Sequence, residues 1–274
     1  MTQNLLTETR CKRFANGTVY ALQTADGYPI ETTDTFLPVY TKDAVGRKQN
    51  KLDNTSLGGR HDRWMIGVSV MSGCPVRCKF CATGQLKKWR PLTAEEIVAQ
   101  VDFVVGRNQP NAENGYFEPD KAFEFKINYT RMGEPFLNIE EVRRAIQIID
   151  KKYRRAQVHH YVSTIGIEGS DYRWIQANIT LQISLHSLDP LRRNWLIPYK
   201  KKMPIPMLGL ARTGSFLKTT LNLTLVDELD FDIDALRRQF DPEHFFIKLS
   251  PINPNETSEK WECGQGVVEG RNLV

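Results

Sequence analysis

Cys74-Pro75-Val76-Arg77-Cys78-Lys79-Phe80-Cys81 places three of the chain's five cysteines within eight residues, with three and then two residues between them. Three thiolates on one short loop suit an iron–sulfur cluster whose remaining iron is left to a ligand from outside the protein. A structural zinc site would need a fourth protein ligand, yet the nearest histidines in sequence are His61 upstream and His159 downstream. A disulfide framework fits worse, because an odd cluster of cysteines without a signal peptide implies reduced, intracellular thiols. The expected chemistry is therefore that of an open-site cluster.

Such a loop needs a scaffold. Residues 18–23 and 28–37 read as a β-hairpin around Asp26-Gly27, a strong turn dipeptide. Residues 39–63, rich in Lys, Asn, Asp and Gly, read as a long surface loop. From Met65 the pattern changes to alternating strands and helices. Residues 65–71 form an apolar strand running into the cysteine loop. Thr93-Ala94-Glu95-Glu96 is a capping box ahead of Ile97, Val101, Val104 and Val105 on one helical face. Phe123, Phe125, Ile127 and Tyr129 alternate with Glu124, Lys126 and Asn128 as in a two-faced strand. Asn138 caps a helix with Val142, Ile146 and Ile149 inward.

Further strands are expected at 158–164, 179–185, 216–226 and 245–249, with helices at 171–176 and 233–240. Six strands, mostly separated by helices, predict a parallel sheet with right-handed crossovers. Six are too few for a closed eight-stranded barrel, so the expected fold is α/β, an open six-stranded parallel β/α barrel with an N-terminal β-hairpin extension. Ligands bind at the C-terminal ends of strands in such folds. Those ends carry the cysteine loop, Met132-Gly133-Glu134-Pro135, Ser163-Thr164, Ser184-Leu185-His186 and Ser250-Pro251-Ile252-Asn253-Pro254.

The spacing Cys-x3-Cys-x2-Cys, with Phe80 before the last cysteine, resembles the radical S-adenosylmethionine (SAM) signature. The resemblance implies a [4Fe-4S] cluster on Cys74, Cys78 and Cys81, with SAM's amino and carboxylate groups on the open iron. Gly133-Glu134-Pro135, Ser184-Leu185-His186 and Asn253-Pro254, in this order, further resemble the RlmN/Cfr family of radical SAM enzymes, which methylate an adenine carbon in RNA. By that resemblance Gly133 and Glu134 contact SAM's amino group, Ser163 and Ser184, Leu185 and His186 its ribose and carboxylate, and Asn253 its adenosine end. Cys263, in Cys263-Gly264-Gln265, resembles the cysteine that carries a methyl group to the RNA. An electron donor of the flavodoxin or ferredoxin kind is implied as well.

The chain departs from the family pattern in four places. Only a short stretch separates Asn253 from Cys263, where the family has several times that length. The family's resolving cysteine, seven residues before Cys74, falls on Gly67. The glutamate base of the family's hairpin corresponds ambiguously to Glu31 or Asp34. The family's N-terminal RNA-binding domain has no counterpart before the hairpin. A second reading therefore stands beside the first: a radical SAM enzyme of the same fold that cleaves SAM for a non-methylating reaction on another substrate. A cluster-binding sensor without enzymatic activity gives the Gly-Glu-Pro and Ser-Leu-His elements no purpose.

With 274 residues, 41% of them apolar, the chain can bury one barrel-type core. A mean hydropathy of −0.43 and the lack of a long uncharged apolar run point to a soluble, cytoplasmic protein without a membrane span. The expected organisation is an extension and loop over 1–64, the barrel over 65–254, and a tail carrying Cys263 over 255–274. The net charge of +5 is mild. Lys87-Lys88-Trp89-Arg90, Lys151-Lys152-Tyr153-Arg154-Arg155, Arg192-Arg193 with Trp195, and Tyr199-Lys200-Lys201-Lys202 set aromatics among cations, a combination that suits rRNA or tRNA.

Overall fold

The computed structural model describes residues 5–37, 58–108, 117–224, 232–264, 267–268 and 271–272. The chain forms two compact units, one of residues 1–69, 92–131 and 140–160, the other of residues 70–91, 132–139 and 161–274.

In the first unit β1 (Leu6–Phe14), β2 (Gly17–Thr24) and β3 (Pro29–Leu37) form an antiparallel meander that continues antiparallel onto β4 (Arg63–Gly67), and β4 pairs in parallel with β5 (Glu124–Tyr129). Register puts Trp64 beside Phe125 and Ile66 beside Ile127, so one face of this pair is continuously apolar. The helices α1 (Ala94–Gly106) and α2 (Ile139–Lys152) supply Ile97, Val101, Val104, Val142 and Ile149, all fully buried. Both parts of the capping box at Thr93 form: its hydroxyl accepts from Glu96 N, and the Glu96 carboxylate accepts from Thr93 N. Glu141 reaches across to accept from Ala94 N at 2.7 Å, which fixes the start of α1 against α2.

In the second unit β6 (His159–Thr164, of which Tyr161–Thr164 belong here), β7 (Ile179–Ser184), β8 (Thr219–Thr224) and β9 (Phe245–Ser250) follow in order, and β7 with β8 and β8 with β9 are parallel. Leu181, Ile183, Leu221 and Leu223 fill the core, while Gln182, Ser184, Asn222 and Thr224 between them stay half-buried, the period-two signature of a two-faced strand. Short helices α3 (Pro190–Leu196), α4 (Ile205–Gly209), α5 (Ile233–Gln239) and α6 (Glu256–Lys260) complete the unit.

The six strands expected from Met65 onward are present as β4 to β9, and their order is that of an open, partial β/α barrel. Four details differ from expectation. The extension has a third strand, β1, whose sequence is polar and largely exposed and so carries no apolar alternation. The first barrel strand ends at Gly67 rather than Met71; Met71–Ser72 instead pairs with Arg90–Pro91 and closes the base of the cysteine loop. No helix forms over 171–176, because the Asp171 carboxylate accepts from Arg173 N at 2.9 Å and offers that backbone a tight turn instead. Asp189-Pro190 starts the unforeseen α3, with Asp189 accepting from Leu191 and Arg192 N. Most of the loop expected over 39–63 lies outside the described residues. Among the described residues no helix is long and apolar enough to cross a membrane.

Candidate functional site

The cysteine-loop residues and the strand-end residues expected to hold the cluster and SAM lie in the second unit, with Cys263, whereas the candidate bases Glu31 and Asp34 lie in the first. The cysteine loop is fixed there from several sides. Gly73 has φ +70, and a Cβ on it would meet Lys88 O at 2.9 Å and Trp89 Cβ at 2.8 Å, so the turn into Cys74 requires glycine. Lys79 N donates to Leu196 O on α3 at 2.9 Å, and Cys81 N to Cys78 O at 3.1 Å. Asn255, which caps α6 by accepting from Thr257 and Ser258 N, donates its side-chain amide to Phe80 O at 3.1 Å. Asn255 escaped the sequence reading, although Asn-x-x-Ser ahead of a helix is a capping signal.

The Gly-Glu-Pro segment is tied to the root of the same loop. Met132 O accepts from Val70 N at 2.8 Å and Met71 N at 3.1 Å, and Asn138 Nδ2 donates to Val70 O at 2.8 Å. Gly133 has φ +103, and a Cβ there would stand 2.6 Å from Met71 Cβ and 2.8 Å from its backbone nitrogen. Gly133→Ala therefore combines backbone strain with a contact that cannot relax. It is expected to destabilise by about 3 kcal/mol. Gly169 also has a positive φ but meets nothing within 4 Å; Gly169→Ala is expected to cost only about 1 kcal/mol. Denaturant midpoints of the two variants check the difference.

Glu134 is buried. Its carboxylate accepts from Phe136 N at 3.1 Å, from Ile165 N at 2.9 Å and from the Thr164 hydroxyl. Burial still outweighs these hydrogen bonds and pushes its pKa up to about 7. It lies close enough to Cys74 and Cys78 for their charges to interact.

Ser184-Leu185-His186 forms a turn whose Leu185 and His186 amides both donate to Asn222 O, at 3.0 and 3.2 Å, with His186 at φ +61. Leu185 is fully buried and serves packing. The His186 ring meets Phe80 edge-on at 4.8 Å, and its Nδ1 accepts from Thr224 N at 3.1 Å. Burial, reinforced by the Arg193 charge, holds its pKa down to about 3, so His186 is a neutral clamp between the cysteine loop and the end of β8. Ser163 donates to Gln182 at 3.0 Å, and Gln182 also accepts from Asn222. Asn222 Oδ1 is buried without a partner. Asn253 is exposed and its carbonyl accepts from Asn255. Cys263 is buried: its amide donates to Ser258 O at 2.8 Å and its thiol to Trp261 O at 3.7 Å. Arg193, another residue the sequence reading gave no place in the site, is buried, with its fork on Ile165 O (2.7 Å) and Met203 O (2.9 Å).

The three loop thiols fit a cluster by donor chemistry. Burial, with mutual repulsion added, pushes Cys74 up to about 12 and Cys78 well above the ordinary thiol range, so they hold their protons until a metal displaces them. Among the described residues no three His, Cys, Asp or Glu side chains gather around a single ion. Thiolates that each serve a different iron of a cluster do not need to.

The sequence profile described as "Radical SAM superfamily" matches residues 68–239, the stretch from the cysteine loop through α5. The chain belongs to the radical SAM superfamily. Membership implies a [4Fe-4S] cluster and SAM as cofactors. Among relatives of this radical SAM chain, a probable dual-specificity RNA methyltransferase RlmN from Pseudothermotoga lettingae is 32% identical over 213 residues, covering 72% of the chain and 59% of that protein. A protein of the same description from Chlorobium phaeobacteroides is 31% identical over 236 residues, 82% of the chain and 63% of that protein. The chain thus spans about three fifths of the length of these relatives. The crystal structure of a radical SAM methyltransferase from Sphaerobacter thermophilus superposes with a TM-score of 0.66 at 25% identity, over 97% of this chain and 77% of that one.

Proposed function

We propose that the protein is an RlmN-like methyltransferase acting on an adenine carbon in RNA, with a [4Fe-4S] cluster on Cys74, Cys78 and Cys81 and SAM beside it. The observation that carries the reading is that Met132 and Asn138, which flank Gly133-Glu134, are bonded to the root of the cysteine loop and His186 packs on Phe80 within it, in a chain about 30% identical to RlmN relatives. When bound, the cluster supplies the electron that cleaves SAM. Glu134 and the open backbone at Gly133 receive SAM's amino group. Ser163 and Ser184 offer hydroxyls to its ribose and carboxylate, and Asn253 takes the adenosine end. Cys263 carries the methyl group. The electron donor is of the flavodoxin or ferredoxin kind, and the compartment a reducing one such as the cytoplasm.

Glu134 gives this reading a pH dependence. Its pKa of about 7 lies above the ordinary value, so it is protonated in mild acid and ionises as pH rises. SAM affinity should therefore climb from about pH 5 to about pH 7, up to tenfold per unit, and then level. Titration calorimetry checks this, and Glu134→Gln should flatten the profile. The function itself is tested by anaerobic incubation of the reduced, reconstituted protein with SAM and total RNA: a carbon-methylated adenosine should appear in the nucleoside digest.

One observation favours the second reading, SAM cleavage without methyl transfer. At Gly67, where the family has its resolving cysteine, an added Cβ would lie 2.4 Å from Thr33 Oγ1 and 2.9 Å from Arg131 Cδ. The space for that side chain is filled. Of the two candidate bases, Asp34 is buried and engaged by Arg60 and by Trp64 Nε1 (2.8 Å), whereas Glu31 is half-buried and paired with Arg131. Glu31 is the better candidate.

A further inference from the structure

The cysteine loop and residues 190–204 carry charge of one sign only. Residues 70–91 contain Arg77, Lys79, Lys87, Lys88 and Arg90 and no Asp or Glu; residues 190–204 contain Arg192, Arg193, Lys200, Lys201 and Lys202 and again none. These ten cations exceed the net +5 of the whole chain, so the positive charge is concentrated here and the remainder is net acidic.

The two segments meet at a cavity of about 370 Å³ lined by Arg77, Lys79, Gln85, Lys87, Pro198 and Trp261. It has no acidic wall, and among the described residues no carboxylate pairs with Arg77, Lys79 or Lys87. Two of the three cations are fixed by local contacts. Lys79 Nζ sits 3.1 Å from the centre of the Trp261 ring, which holds the ammonium in place. Arg77 has φ +58 and is backed by Gly84, where a Cβ would come within 2.7 Å of Arg77 Cα. Three cations around one concavity repel each other, and an anion with several acceptor oxygens relieves that repulsion.

We propose that this cavity is a phosphate site for the backbone of the RNA substrate, with a phosphodiester seated among Lys87, Arg77 and Lys79. The inference rests on the RNA-methyltransferase reading and adds to it where the strand is gripped. RNA is favoured over an acidic protein because the site is concave. Aromatic surfaces for base stacking also accompany the cations: Trp89 is 46% exposed, and Arg192 lies over Trp195 at 4.5 Å.

The test is fluorescence anisotropy of a labelled, mixed-sequence RNA hairpin with the reconstituted full chain, over about 50 to about 200 mM salt. Lys87→Glu should weaken binding about tenfold and lower the slope of log affinity against log salt by about one. Lys87→Gln should weaken it by roughly threefold, and Lys218→Glu, an equal charge change where the ammonium is held by Pro242 O, should have less than about a twofold effect. Equal effects of Lys87→Glu and Lys218→Glu on RNA that the wild type binds would overturn the pocket and leave the RNA-methyltransferase reading standing. Wild-type protein that cleaves SAM but does not bind RNA would overturn both. Inorganic pyrophosphate bound through Lys87 without competing with RNA would reassign the pocket to a small phosphate ligand. A reduced flavodoxin that loses affinity on Lys87→Glu while RNA does not would reassign it to the electron donor. Either result also overturns the proposal.

Discussion

Replacing Cys78 with alanine will leave the anaerobically reconstituted protein with iron, sulfide and SAM cleavage at background. Cys78 is the middle of the three loop cysteines, and its backbone carbonyl accepts from Cys81 N. On the proposed reading, removing its sulfur deletes one of the three cluster ligands; of the two other cysteines, Cys11 is exposed on β1 and Cys263 is buried with its thiol on Trp261 O. The fold should tolerate the change, because the loop is also held by the Lys79, Phe80 and Gly73 contacts. The apo-protein should lose roughly 1 kcal/mol. Iron content and the denaturant midpoint of the apo-protein, measured side by side, separate a lost ligand from a lost fold. Cys11→Ala should keep its iron, which excludes a general effect of cysteine removal.

Cys263→Ala is expected to abolish methyl transfer to RNA while iron content and 5′-deoxyadenosine formation persist. Only a short stretch joins Asn253 to Cys263, yet α6 in that stretch is bonded to the cysteine loop through Asn255 and Phe80 O, and Trp261 packs on Lys79. Residues 255–261 therefore contact the cysteine loop directly. Cys263 is buried, so its removal should also cost roughly 1 kcal/mol, which the denaturant midpoint checks. RNA methylation that survives Cys263→Ala would eliminate the methyl-carrier role of Cys263, whereas wild-type protein that forms 5′-deoxyadenosine without methylating RNA would support the non-methylating reading, which the filled space at Gly67 already favours.

The barrel strands were legible because each alternates apolar and polar residues, or reads as a short apolar run, over a length that burial then rewards. Phe125, Ile127 and Tyr129 are buried while Glu124, Lys126 and Asn128 are not. The cap at Thr93 was legible because its chemistry is local. What stayed hidden depends on partners distant in sequence. Strand β1 is an exposed edge held by its ladder to β2, from Leu6 beside Thr24 to Phe14 beside Gly17, and has no core face to announce it. Residues 171–176 look helical until Tyr172 is seen packed edge-on against Phe136 at 5.0 Å. In the proposed site, the cysteines and the strand-end residues stand out in the sequence by type and spacing, but the parts played by Asn255, Arg193 and the neutral His186 arise from contacts with Phe80, Ile165 and Thr224. No spacing rule encodes those.

The central claim is tested most directly by one reaction: reduced, reconstituted protein, SAM with a deuterated methyl group, and RNA, sampled over time for intact protein mass and for nucleosides. The methyl label should appear first on the peptide carrying Cys263 and then on an adenine carbon, with 5′-deoxyadenosine accumulating alongside. Formation of 5′-deoxyadenosine with no label on either Cys263 or adenine would contradict the methyltransferase account and establish a different radical SAM reaction.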